Sequence, residues 1–101
     1  MRLKEIAHAR TGDKGNHANI AVVAYRAEHY PLLKDKLTVQ RVQDFFGEFC
    51  QGPVERFEAD NCYAINFVLH DALGGGVTRS LAMDKHGKAL GMALLELELD
   101  E

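Results

Sequence analysis

The spacing of apolar and polar residues divides the first quarter of the chain into two short strands and a turn. Leu3–Arg10 mixes apolar and polar positions, and Ile20–Tyr25, "IAVVAY", is apolar throughout. A short apolar run of this length is typical of a strand buried inside a sheet. Between the two runs lies "RTGDKGN", which is rich in turn-forming residues. We therefore predict a β-hairpin.

The next segment of the chain has its apolar residues at the spacing of an α-helix. Pro31 can begin a short helix, because proline has no N–H group to lose at the first helical position. Thr38 is a predicted N-cap for a longer helix, with Leu37 and Val42 at the two positions of a hydrophobic staple. We expect "QGP" at 51–53 to end this helix. The apolar residues of this longer helix recur at helical spacing and form one face. They are Val39, Val42, Phe45, Phe46 and Phe49.

The second half of the chain predicts further strands and one ambiguous segment. Val54–Ala59, "VERFEA", alternates like a strand. Asn61–Leu73 is long for a strand and shows no turn signal, so a helix is favoured there. Val77–Met83 and Ala89–Leu99 are predicted strands, joined by a turn at "DKHGK". The predicted inward face of the helix is Ile65, Val68, Leu69, Ala72 and Leu73.

This order, β-β-α-β-α-β-β, predicts an α+β fold. Helices must cover a face of the sheet, so we expect a two-layer sandwich, a variant of the ferredoxin-like arrangement. The sequence contains no repeat, linker or low-complexity tract, and 101 residues suit one domain over residues 1–101.

Composition and charge narrow the choice of partners. The net charge is −3, which predicts no nucleic-acid partner. No apolar run approaches the roughly 20 residues of a membrane span, and the first residues lack the apolar core of a secretory signal. We expect Cys50 and Cys62 to be reduced in a cytoplasmic protein. The five histidines show no metal-binding spacing, so neither a metal nor a cofactor is expected.

Two glycine-rich stretches carry the candidate chemistry. Glycines allow backbone N–H groups to converge on an anion, Lys14 and Arg79 add charge, and Asn66 is an amide within an apolar run. The alternative is an ordinary turn, in which Asp and Asn side chains bond their own backbone. Asn19 can add a further hydrogen bond. The predicted ligand-binding residues are Arg10, Thr11, Gly12, Asp13, Lys14, Gly15, Asn16, Asn66, Gly75, Gly76, Arg79 and Ser80.

Four segments together resemble a known family. They are "HARTGDKGNHANIAVVA", "GPVERFE", "AINFVLHDALGGGVTRSL" and "DKHGKALGMALLELEL". They resemble the carboxy-terminal ferredoxin-fold domain of the acyclic terpene utilisation protein AtuA family. The resemblance implies a free-standing version of that domain, a separately encoded large AtuA-type partner, and a role in acyl-CoA metabolism such as terpenoid or organic-acid catabolism. It implies no particular reaction.

Three functions remain open from the sequence. The first is an accessory subunit that binds an anionic ligand, such as an acyl-CoA or an organic acid, between the two glycine-rich stretches. The second is a stand-alone lyase, hydratase or hydrolase with His8 or Asp13 as general base and loop amides as an oxyanion hole. The third is a structural assembly module. We also expect a homo-oligomer, because the predicted terminal strand "ALLELEL" would form an exposed edge.

Overall fold

A four-stranded antiparallel sheet forms the centre of the fold. The structure is a computed structural model that describes residues 1–14, 17–47, 50, 52–70 and 88–99, with only the backbone at residues 13, 14, 88 and 89. The order of the strands across the sheet is β1-β2-β4-β3. The strands are β1 (Ala7–Lys14), β2 (His17–Ala24), β3 (Val54–Ala59) and β4 (Ala64–Leu69).

Two of the described α-helices lie between β2 and β3, and a third follows residues 71–87, which the structure does not describe. They are α1 (Tyr30–Lys36), α2 (Val39–Phe46) and α3 (Lys88–Leu94). The predicted helix starts are confirmed. Pro31 lies in the first turn of α1, and the Thr38 hydroxyl accepts a hydrogen bond from the Arg41 N–H at 3.2 Å. The predicted end of α2 at "QGP" is wrong, because Gly47, with φ of 54°, already ends the helix.

Among the residues that the structure describes, one face of the sheet is covered by helices and the other is left open. Along β2, Ala18, Ile20, Val22 and Ala24 are buried, and the residues between them are exposed or partly exposed. Strand alternation places the first set on the helix side. The same side of β4 contributes Ile65, Phe67 and Leu69, and the helices contribute Leu33, Val42, Leu90 and Leu94 to the same core.

The predicted helix over Asn61–Leu73 is wrong, because its central part is strand β4. β3 and β4 form a hairpin in which Ala59 pairs with Ala64. The connection is a 3₁₀ turn at Asp60–Cys62, followed by Tyr63 in the left-handed region with φ of 54°. Asp60 and Asn61 are turn-forming residues, so the turn signal is present without glycine. Residues 71–73 lie outside the described part.

The predicted terminal strand Ala89–Leu99 is also wrong. Its first part is helix α3, because Leu90 and Leu94 are one helical turn apart and both are buried. Beyond α3 the chain runs beside the N-terminus, with one isolated bridge between Arg2 and Glu98. The predicted strand Val77–Met83 lies outside the described residues.

The N-terminal segment meets this tail through backbone and charge. The Leu3 N–H donates to the Leu97 carbonyl at 2.8 Å, and the Leu99 N–H donates to the Met1 carbonyl at 2.9 Å. The amino group of Met1 lies 3.0 Å from a Glu98 carboxylate oxygen. A 3₁₀ turn occupies Leu3–Glu5, so β1 begins at Ala7 rather than at Leu3 as predicted.

The predicted two-layer α+β class is confirmed. The predicted order β-β-α-β-α-β-β is wrong within the described residues, where it reads β-β-α-α-β-β with α3 after the undescribed segment. The difference comes from the two segments above, whose long-range pairing and packing override their local patterns.

Helix α3 packs on β1 through one close contact. The Gly91 N–H donates to the Thr11 hydroxyl at 3.1 Å. A Cβ at position 91 would collide with that hydroxyl oxygen, whereas the Cβ atoms of Ala9 and Thr11 would lie at ordinary distances of 3.5 and 3.7 Å. Glycine is therefore required here by the close approach of helix and strand, despite its low helix propensity.

We expect Gly91→Ala to destabilise the fold by about 1–3 kcal/mol in urea unfolding, as overpacking does. With Thr11→Ala in the background, the colliding oxygen is gone, and the same change should become neutral or stabilising because alanine is the better helix former. Thr11→Ala alone should cost about 1–3 kcal/mol, because it leaves the Gly91 N–H without its acceptor. Additive effects of the two substitutions would contradict this contact.

Candidate functional site

Most of "RTGDKGN" lies in strand β1. The strand continues to Lys14, which pairs with His17 of β2. The interpretation of residues 10–14 as a loop is therefore wrong: they form ladder bonds with β2, which fixes an extended backbone. Neighbouring side chains consequently lie on opposite faces of the sheet.

The open face brings Arg10 and Asn66 close together. Arg10 pairs with Ala21, and Ala21 pairs with Asn66 on its other side. These three residues form a row across the sheet, and directly opposite side chains in such a row are about 5 Å apart. Gly12 and Asn19 are the first two positions of the neighbouring row. A cleft of about 230 Å³ lies between them, bordered by Arg10, Thr11, Gly12, Asn19, Ala21 and Asn66.

The polar groups of this cleft, here called the Arg10 cleft, are not used inside the fold. Among the described residues, the Arg10 guanidinium forms no ion pair or hydrogen bond, and the side-chain amides of Asn19 and Asn66 form no hydrogen bond. Arg10 and Asn19 are exposed and Asn66 is partly buried. The side chains at the floor of the cleft take up little space, because Gly12 has no side chain and Ala21 has only a methyl group. The cleft thus offers one positive charge and two amides around an open space.

The other predicted site residues fall into three groups. Thr11 borders the cleft, but its hydroxyl lies on the covered face, where it bonds Gly91. The backbones of Asp13 and Lys14 lie in β1, and their roles remain predictions. The remaining predicted residues lie outside the described part: Gly15, Asn16, Gly75, Gly76, Arg79 and Ser80.

His8, a candidate general base, lies on the same face as Arg10. It is two positions earlier on β1 and pairs with Val23. Its ring packs against Tyr25, with ring centroids 5.3 Å apart at 31°. Two positions along a strand correspond to about 7 Å, so the imidazole belongs to the row next to Arg10.

An apolar cleft meets the Arg10 cleft at Arg10 itself. It measures about 430 Å³ and its described lining is Ala9, Arg10, Thr11 and Met92. Met92 on α3 is 71% exposed. Arg10 is therefore shared by a polar cleft and an apolar one. Sequence reasoning missed Ala21 and Met92, which carry no polar group and gain a role only through strand register and helix docking.

Two histidines and a glutamate meet at the opposite end of the open face. The rings of His17 and His70 are in edge contact at 4.6 Å, and the His70 Nε2 lies 3.6 Å from a Glu55 carboxylate oxygen.

Within residues 1–14, 17–47, 50, 52–70 and 88–99, no group of three or more His, Cys, Asp or Glu side chains is placed to hold a metal ion.

A further cleft, of about 560 Å³, lies away from the open face and is lined by a network of charged side chains. Its lining includes Tyr30, Lys34, Glu58 and Asp60. The Tyr30 hydroxyl donates to Asp60 at 2.7 Å and to the Ala64 carbonyl at 3.2 Å. Lys34 lies 3.3 Å from Asp60 and 3.6 Å from Glu58. Opposite charges already neutralise one another here, so this cleft is the weaker candidate for a ligand.

Burial and the hydrogen bond to Asp60 raise the pKa of Tyr30 to about 12. The hydrogen bonds from Tyr30 and Lys34 lower the pKa of Asp60 below its usual value. These directions agree with a hydrogen bond from a protonated hydroxyl to a carboxylate. Tyr30 thereby fastens α1 to the β3–β4 turn.

Comparison with known proteins decides the family. The model of the AtuA ferredoxin-like domain family matches residues 1–100. The chain belongs to this family. The predicted relationship to the AtuA ferredoxin-fold domain is thus confirmed over residues 1–100. No curated protein and no solved structure matches the chain, and no described helix of this AtuA-like chain is long and apolar enough to cross a membrane.

We expect Tyr30→Phe to lower the free energy of unfolding at pH 7 by about 1–2 kcal/mol, because the single hydroxyl proton that Asp60 and the Ala64 carbonyl share is lost. A tyrosine whose folded pKa is raised stabilises fully below the unfolded value near 10, and this contribution is lost as the pH rises through about 12. The difference between wild type and variant should therefore shrink between pH 10 and 12 in urea unfolding. Tyr25→Phe, at a side chain 62% exposed, is the matched control. A difference that does not change with pH would contradict the hydrogen bond from Tyr30 to Asp60.

Proposed function

We propose that this AtuA-like domain is a binding module for a small anion, held on the open face in the Arg10 cleft. The observation that carries the proposal is the unused guanidinium of Arg10 beside the unused amides of Asn19 and Asn66. A guanidinium binds carboxylate or phosphate with two parallel hydrogen bonds. Amide N–H groups can supply further donors, and the small floor of Gly12 and Ala21 leaves space for the anion.

The size of the cleft narrows the class of ligand. Its volume of about 230 Å³ lies below the roughly 300–1,000 Å³ of sites that enclose drug-sized ligands. It suits the acidic group of a larger molecule rather than an entire acyl-CoA. The adjoining apolar cleft beside Met92 offers room for a hydrocarbon portion. The class favoured is an organic acid or acyl compound with an apolar part.

Family membership supports the wider setting of this proposal. The chain matches a domain named for AtuA, so we propose that it acts as an accessory module with a large AtuA-type subunit. Acyl-CoA metabolism, within terpenoid or organic-acid catabolism, is the proposed process, and the cytoplasm is the proposed location. Lys14 and Arg79 are proposed to add charge to the same ligand.

A second candidate function is favoured by the position of His8. Its imidazole shares the open face with Arg10, and histidine is the side chain that acts most often as a general acid or base. In a stand-alone lyase, hydratase or hydrolase, His8 would remove a proton from a ligand anchored at Arg10. Turnover by the purified chain, abolished in His8→Gln with ligand affinity retained, would distinguish this function from binding alone.

The binding proposal predicts stabilisation by anions. At about one hundred times its dissociation constant, a true ligand stabilises the fold by about 2.7 kcal/mol, which raises the melting temperature by on the order of 10 °C in a domain of this size. We expect this from at least one of phosphate, succinate, a medium-chain fatty acid, CoA or an acyl-CoA. Thermal unfolding and titration calorimetry measure the shift and the affinity. A panel without any shift would contradict the proposal.

Arg10→Gln should weaken binding of the active anion by about 10- to 100-fold, the loss expected for a charge-assisted hydrogen bond. Arg26→Gln removes the same charge from a side chain 72% exposed and should leave the affinity unchanged. Asn66→Ala should weaken binding by a smaller factor, because a neutral donor is lost. Equal loss in the Arg10 and Arg26 variants would indicate general attraction of anions rather than the Arg10 cleft.

A further inference from the structure

The open face of the sheet carries more apolar surface than anion binding requires. Phe57 of β3 is 51% exposed and Tyr25, after β2, is 62% exposed. Phe57 pairs with Asn66 in the ladder, so it continues the row that begins at Arg10. Val23 and Val68 are partly buried at this face. Large exposed side chains at the surface of a sheet indicate a partner.

The strand register determines which side chains lie next to one another in each row of the open face. One complete row reads Arg10, Ala21, Asn66, Phe57 across the four strands. The cation lies at one edge and the aromatic ring at the other, with a small and a medium side chain between them. The neighbouring row begins at Gly12 and ends at Glu55. Positive charge therefore lies towards β1 and negative charge towards β3.

We propose that the open face binds a second copy of this chain, face to face, about a twofold axis that lies between the two sheets and parallel to their strands. Such an axis reverses the order of the strands without shifting residues along them. Arg10 of each copy then lies opposite Phe57 of the other, and Ala21 lies opposite Asn66. Each large side chain meets a small or a planar one, as interdigitating sheets require.

Charge and ring geometry favour a second copy over an unrelated partner. A guanidinium above a phenyl ring is attracted to it by the cation–π interaction. Glu55 lies two positions from Phe57 on the same face, so the carboxylate of one copy also approaches the Arg10 side of the other. Both attractions occur twice, because the axis repeats them.

This inference goes beyond the proposed anion site and can fail independently of it. Phe57 does not border the Arg10 cleft in its own copy. In the assembled pair, the phenyl ring of each copy would close the Arg10 cleft of the other. The polar cleft then becomes a compartment between two copies, with two such compartments in each dimer.

The test is the association constant measured by sedimentation equilibrium. We expect a dimer for the wild-type chain, and Phe57→Thr, which suits a strand, should weaken dimerisation by at least about 30-fold, the effect of losing a central anchoring side chain. Phe45→Thr makes the same change at a ring that is 37% exposed on α2, and should leave the dimer intact. Circular dichroism confirms folding, and Phe57→Lys, which places a second cation opposite Arg10 of the other copy, should weaken the dimer at least as much.

A charge exchange tests the orientation of the two copies. Arg10→Glu and Glu55→Arg should each weaken the dimer, and combining them should restore part of the loss, because opposite signs again face each other. The Phe57→Thr monomer should still bind phosphate or the active acid through Arg10, which separates this proposal from the anion site.

Several results would overturn the proposal. They are a wild-type monomer at up to about 1 mM protein, a dimer insensitive to Phe57, and loss of dimer in Phe45→Thr equal to that in Phe57→Thr. A chain whose open face is covered by its own residues 71–87, or only by a large AtuA-type subunit, would also refute it.

Discussion

The close contact between Gly91 and Thr11 fixes which side chains of β1 face helix α3. The Gly91 N–H reaches the Thr11 hydroxyl only because no side chain stands between helix and strand. With Thr11 fixed towards α3, strand alternation directs Arg10 and Gly12 to the opposite face. The chemistry of the open face thus depends on a packing requirement of the covered face. Successive residues of β1 therefore alternate between packing against α3 and lining the open face.

The parts of the fold predicted correctly from the sequence depend on local signals. Thr38 caps a helix with its own hydroxyl, and Pro31 marks a helix start through its missing N–H, so neither requires knowledge of distant residues. β4 is different. "AINFVL" is apolar at nearly every position, so it fits a helix or a strand equally well. Pairing with β2 and β3 on both sides decides in favour of a strand.

The C-terminal segment shows the opposite error, because a strand was predicted where the structure has a helix. "LLELEL" alternates strictly at its end, and this alternation is real in space, because Leu97 and Leu99 contact the core while Glu96 and Glu98 meet Arg2, Lys4 and the amino terminus. Yet the preceding residues form α3. The strand pattern extends only over the last few residues, and the burial of Leu90 and Leu94 one turn apart governs the rest.

The Arg10 cleft combines residues that stand out in the sequence with residues that do not. Arg10 and Asn66 stand out in the sequence as polar residues in an unusual context, and the structure brings both to one cleft. Their separation across the sheet depends on the register of three strands, which no local pattern contains. Ala21 could not be identified beforehand, because its contribution is the absence of bulk. Thr11 was chosen for its hydroxyl, which the fold uses on the other face.

The pairing of the two ends of the chain has a consequence for its connectivity. Because the Leu99 N–H bonds the Met1 carbonyl and Glu98 lies beside the amino group, the first and last described residues are immediate neighbours. A short peptide could therefore join them, and the chain could be reopened at the exposed Asp60–Cys62 turn without breaking a strand. Such a circular permutant would keep the sheet, α3 and the Arg10 cleft while making β4 its first strand. The order of strands in space is in this sense independent of the order in which the chain visits them.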